Sequence, residues 1–169
     1  MEGLGRLFNL AIGAAPVDLS TAAVTGKRVS LQHASGITFL VFKGAGTAGD
    51  DPTITLQQHT AASGGTSSNL VAIDHYYLKD AATLAGTEQW VEKTQALAAT
   101  IADPGGAGTS AEHQQLLAIE VNATALSDGY THVSLNIADV GANAQLGAVL
   151  YVLHDLTVQR APDALAATL

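Results

Sequence analysis

The sequence predicts an all-β fold, an antiparallel β-sandwich or jelly-roll-like body of about eight strands. Three observations carry that expectation. Apolar and polar residues alternate in short runs, Gly-rich turns separate those runs, and the helical patterns that occur are only a turn or two long. At 169 residues the chain fits one domain with a core of its own. Its 47% hydrophobic content argues against disorder, because enough apolar area exists to offset chain entropy.

Taken in order, residues 1–23 read as an N-terminal arm. Leu4, Leu7, Phe8, Leu10 and Ile12 lie there without clear strand alternation, followed by Pro16. Leu4, Leu7 and Phe8 fall near one face of a short helix. Two arrangements fit: a strand or helix packed on its own domain, or an arm laid on a neighbouring subunit. Residues 24–159 form the body. Val29 and Leu31, then Ile54 and Leu56, then Val133, Leu135 and Ile137 alternate with polar neighbours, as half-buried strands do. Ile37–Phe42 and Leu146–Leu153 are apolar on both faces and too short for helices, so they read as central strands covered from both sides. Val71–Leu78, Trp90–Gln95 and Leu116–Val121 complete the set, with β-branched or aromatic residues at alternate positions. Turns are expected at Gly44–Pro52, Ser63–Asn69, Asp103–Thr109 and Ser127–Gly129, and short helical turns at Ala81–Leu84 and Ala123–Ser127. Residues 160–169, Ala-rich and containing Pro162, read as a surface tail.

Composition removes several functions. With no cysteine, a disulfide framework, a thiolate metal site and a cysteine nucleophile are excluded. Seven basic against fifteen acidic residues give a net charge of −8, which leaves almost no material for a phosphate-binding surface, so nucleic acid is not expected as a partner. The longest apolar run, Leu146–Leu153, is far short of a membrane-spanning helix, and no membrane partner is expected. Leu7–Ala15 resembles a secretory leader only faintly, because Glu2 offsets Arg6 and Asn9 interrupts the run. The sequon at Asn122 is accordingly read as coincidence.

The candidate chemistry is thin. Gly44-Ala-Gly46-Thr-Ala-Gly49 follows a strand as a dinucleotide fingerprint does, but Asp50-Asp51-Pro52 stands where a helix N-terminus would receive the pyrophosphate. It reads as a hairpin loop. The loops at Ser63–Thr66 and Gly105–Gly108 lack the Lys-Ser/Thr of a phosphate loop. Six histidines invite a metal or an acid–base site, yet no two stand at ligand spacing. His75 beside Asp74 and His154 beside Asp155 should point to opposite faces of their strands unless a bulge intervenes. Trp90 reads as core, with stacking on a sugar ring as the functional alternative, and Tyr76 and Tyr77 should face opposite ways. No cofactor, metal or catalytic residue is assigned.

Three stretches, Asp51–Gln58, Ile73–Gln95 and above all Tyr130–Leu156, resemble small head-associated structural proteins of tailed bacteriophages and prophages. The resemblance runs in order over about Leu7–Leu156. It implies a non-enzymatic virion protein, a capsid decoration or stabilising protein made in the host cytoplasm and bound to the capsid surface. Its partners would be the major capsid protein and neighbouring copies of itself. Leu4, Leu7, Phe8, Leu10 and Ile12 are then the candidate anchors to a neighbour. The alternatives are another phage structural role, in the tail or at the head–tail junction, a carbohydrate-binding β-sandwich module, and a hydrolase built on the sandwich.

Overall fold

The computed structural model describes residues 3–106 and 110–168, and within them the chain is a two-sheet antiparallel β-sandwich. Its strands are β1 (Phe8–Asp18), β2 (Val29–Ser30), β3 (Ala34–Lys43), β4 (Ile54–His59), β5 (Ser67–Asn69), β6 (Ile73–Ala81), β7 (Val91–Ala98), β8 (Thr100–Ile101), β9 (Gln114–Asn122), β10 (His132–Ile137) and β11 (Leu146–Leu156). The larger sheet runs β1-β11-β3-β9-β6-β7. The smaller runs β2-β10-β4-β5, with β8 added to β4.

Alternation explains how the sheets meet. Ile37, Phe39 and Val41 of β3, Leu117, Ile119 and Val121 of β9, and Val149, Tyr151 and Leu153 of β11 send every second side chain inward from the large sheet. Val29, Ile54, Leu56, Val133, Leu135 and Ile137 do the same from the small one, and together they make a single core. A polar bond crosses between the layers within this core. The Tyr151 hydroxyl of β11 accepts the backbone N–H of Leu135 in β10 at 3.0 Å. β2 pairs with β10 only at His132 and Val133, so that N–H lies beyond its reach, and the tyrosine supplies the missing partner. Burial pushes the Tyr151 pKa up to about 12.

All eight expected strands are present, and three more join them. β1 forms from the middle of the expected arm: Phe8–Asp18 pairs with β11 as the outermost strand of the large sheet. Intramolecular packing is therefore what the structure places there. The helical face expected for Leu4, Leu7 and Phe8 gives way to a tight turn, with the N–H groups of Gly5 and Leu7 donating to Phe8 and Gly3 carbonyls at 2.7 Å, and Gly5 at φ 81°. β5 occupies part of the expected Ser63–Asn69 turn, and β8 follows β7 across a single residue. Of the two helical turns, a 3-10 turn at Ala123–Ala125 exists, capped by Asn122, whose side chain accepts from Thr124 N. That asparagine is the one in the sequon. Ala81 instead ends β6, and no helix follows it. The Gly44–Pro52 segment is not a hairpin loop, because β3 and β4 lie in different sheets and it crosses between them. Residues 107–109 of the expected Asp103–Thr109 turn and of the Gly105–Gly108 loop lie outside the described residues, as do residues 1–2 of the arm and 169 of the tail. The rest of the tail is exposed along most of its length, yet tied down: Arg160 N donates to Gly5 O and Ser30 N to Thr168 O, both at 2.9 Å.

A buried lysine closes one end of the sandwich. Lys43, the last residue of β3, donates from Nζ to the carbonyls of Ser110, Ala111 and His113 at 3.2, 2.8 and 2.9 Å. Burial pulls its pKa down, and Asp51, Asp80 and Asp103 act the other way. Replacing it with the similarly shaped methionine leaves buried carbonyls without their donor. Lys43→Met is expected to cost about 2–4 kcal/mol in urea unfolding, and a change under about 0.5 kcal/mol, the size of an ordinary surface substitution, contradicts this account.

Candidate interaction surface

The large sheet has a second face, and nothing among the described residues covers it. Backbone register aligns the outward side chains in rows across the strands. One row runs Ile12, Leu150, Leu40, Ala118, Tyr77. The next runs Ala148, Phe42, Leu116, Lys79. Over β1, β11, β3 and β9 these rows are apolar. Ile12 is 55% exposed, Phe42 47% and Leu150 37%. A shallow trough of about 320 Å³ lies among them, bordered by Ile12, Pro16, Leu40 and Phe42 with alanines 14 and 148 between. Toward β6 and β7 the same face turns polar and aromatic, with His75, Tyr77, Lys79 and Glu92. This corrects the expectation that Ile37–Phe42 and Leu146–Leu153 are covered from both sides. Both strands are indeed central and doubly apolar, but the sandwich has two layers, so only their inner faces meet protein.

Of the sequence-based anchors, Leu10 and Ile12 stand on this open face, opposite Val152 and Leu150. Leu7 is 64% exposed at the turn before β1, while Leu4 and Phe8 are half-buried and bridge one another. The structure thus splits the five: two join a surface and three form its corner. Sequence reading missed Leu40, Phe42, Leu116, Ala148 and Leu150 as surface residues, although their doubly apolar runs were the signal.

Trp90 is also displaced from its expected place. It is 45% exposed, because it precedes β7 at the sheet margin where no opposing layer reaches it. The Lys79 ammonium sits over its ring at 5.1 Å. Tyr76 is buried, its hydroxyl donating to Pro104 O at 2.8 Å, and Tyr77 faces out beside His75.

The histidines do not assemble into one site. His75 and His154 do touch their neighbouring aspartates, at 2.6 and 2.8 Å, contrary to the expectation for a regular strand. A register shift between Ile73 and His75 turns the first pair together, and Asp155 at φ 53° turns the second. His113, in the bend just before β9, pairs with Asp80 of β6 at 3.1 Å. Among the described residues, no group of three His, Asp or Glu side chains could hold a metal ion. His59 comes nearest to a relay, with Nδ1 2.8 Å from Ser67 Oγ and Nε2 2.9 Å from Ser134 Oγ. Burial first, then Arg28 and His132, push its pKa down to about 4. Such an imidazole is neutral at pH 7 but a weak base, and its ring is spent on holding β4, β5 and β10 together. No helix among the described residues is long and apolar enough to cross a membrane.

Compared with protein-family models, curated proteins and solved structures, the chain matches none. The surface itself must carry the functional reading.

Proposed function

We propose that this is a non-enzymatic structural protein of a tailed-phage virion, a decoration or stabilising protein bound to the surface of the head shell. The observation that carries the reading is the open apolar face of the large sheet. Monomeric proteins seldom leave so continuous an apolar patch in water, and such patches mark assembly surfaces. The resemblance of Asp51–Gln58, Ile73–Gln95 and Tyr130–Leu156 to head-associated phage proteins supplies the kind of assembly. The low charged fraction, 13%, suits a protein that lies against a large lattice, and a net charge of −8 can complement a more basic shell. Its partners are then the major capsid protein and neighbouring copies.

The test is to mix the purified protein with empty capsids of the encoding phage and follow sedimentation. Co-migration at a fixed stoichiometry is the expected result. Protein that stays at the top of the gradient with capsids but binds tails moves the role to the tail, and binding to neither overturns the virion reading. A carbohydrate-binding module is the second reading, favoured by one observation: Trp90, which packs on Lys79, and Tyr77 belong to the polar half of the same sheet face. Quenching of Trp90 fluorescence by host surface polysaccharide, in protein that ignores capsids, selects it.

A further inference from the structure

We infer that the apolar half of the large sheet's outer face is covered by the same face of a second copy, in a two-fold dimer centred on Leu40 and Leu150. This rests on reading that face as an assembly surface, and it names the occupant. Of the two partners which that reading names, the neighbouring copy is the one this face takes, and the assembled pair is what meets the shell.

Shape is the first ground. A two-fold interface brings one patch against itself, so the patch must carry both projections and recesses. This one does. Phe42 stands directly opposite Ala148 in the β3–β11 register, a large exposed ring next to a single methyl group, and the trough over that alanine is open. Turned about an axis near Leu150, the ring of one copy meets the trough of the other.

Size is the second. Four strands spaced about 4.8 Å and six residues long make a patch about 19 Å by 20 Å. In projection that is about 380 Å² on each copy, or about 760 Å² for the pair, to which the exposed Ile12, Phe42 and Leu150 side chains add relief, so the contact belongs with small, weak interfaces rather than obligate ones.

Charge is the third. Leu10, Ile12, Ala14, Pro16, Thr38, Leu40, Phe42, Leu116, Ala148, Leu150 and Val152 include no ionisable group, although the chain carries −8. Glu120, Lys79 and Glu92 sit at or beyond the margin of the patch. A basic partner would find nothing here to recognise, whereas an identical neutral face meets no repulsion at its centre.

The sheet's edges also favour stacking over edge-to-edge pairing. β1 carries Pro16 and register shifts after Ile12 and Ala14, and β7 carries Glu92, Lys93 and a shift opposite Ile73–His75. Such features blunt an edge strand.

The test needs no capsid, so its failure and the failure of shell binding are separate results. Sedimentation equilibrium of the full chain at about 10–100 μM, where interfaces of this size bind, should give twice the 17.2 kDa chain mass. Leu150→Lys should weaken association by roughly 30-fold or more, the loss expected on disrupting an interface centre, with an unchanged circular dichroism spectrum. A second measurement covers the case in which that variant misfolds. The chain has no cysteine, so Leu150→Cys provides one attachment point for a short bis-maleimide; sheets about 10 Å apart are too distant for a disulfide. Cross-linked dimer from Leu150→Cys, and none from Leu97→Cys on β7, is the expected pattern. A monomeric wild type, a Leu150→Lys dimer as tight as wild type, or equal cross-linking from both positions overturns the inference.

Discussion

Tyr151→Ala is expected to lower the unfolding free energy by about 3–5 kcal/mol, the range for removing a large aromatic from a core. Tyr151 is the largest fully buried side chain of the described residues, and it does three things at once. Its ring meets Phe39 edge-on at 5.0 Å, within one sheet. Its hydroxyl accepts the Leu135 N–H from the other. Its position also dictates the backbone around it: a Cβ on Gly13 would lie 2.5 Å from the ring, and one on Gly26 would strike Leu135 O and the Tyr151 hydroxyl. Both glycines are there for close approach. Tyr151→Phe separates the polar part. It keeps the ring but leaves a buried N–H unpaired, for about 1–3 kcal/mol. Urea unfolding of the two variants checks both figures. A Tyr151→Phe cost below about 0.5 kcal/mol, that of an ordinary surface substitution, would mean that this N–H has another partner and that the inter-sheet bond contributes little.

That tyrosine was legible in the sequence only as one apolar letter of LGAVLYVL. What alternation conveys is which residues share a side of a strand, and there the reading held: Val133, Leu135 and Ile137 are buried together, as are Ile54 and Leu56. It does not convey what lies against that side. ITFLVF and LGAVLYVL are apolar on both faces, and a third layer of the same chain or a different molecule would write the same pattern. β1 was illegible for a related reason. FNLAIGAAPVD mixes small residues with Pro16, and its two register shifts break the period of two on which strand recognition depends. The His75–Asp74 and His154–Asp155 contacts were hidden because each depends on a local backbone irregularity, a bulge and a left-handed residue, that residue identities alone do not announce. Trp90 was misplaced because aromatic residues are core by default, and only the strand order shows that β7 is at the margin.

The strongest pH dependence should come from His59. In the folded chain it is 3% exposed, its two ring nitrogens contact Ser67 and Ser134, and Arg28 and His132 add positive charge nearby. Burial first, then the charges of Arg28 and His132, favour the neutral ring, so its pKa is about 4 folded, against about 6.5 for a free histidine. Between those values the unfolded chain binds the proton and the folded chain does not. Stability therefore rises with pH across that window: the contribution is whole above about pH 6.5 and is lost progressively as pH falls to about 4. Its size is on the order of 2–3 kcal/mol. His59→Gln keeps a neutral hydrogen-bonding side chain and removes the titration. The variant is expected to be less stable than wild type at pH 7, with the deficit shrinking or reversing by pH 4, while carboxylates common to both proteins cancel in the comparison. Urea unfolding at both pH values and at one fixed protein concentration, which holds any self-association constant, reads the difference. Parallel pH profiles for the two proteins would show that the imidazole is solvated in the folded state, and that the Ser67–His59–Ser134 chain is not what ties β5 and β10 to β4.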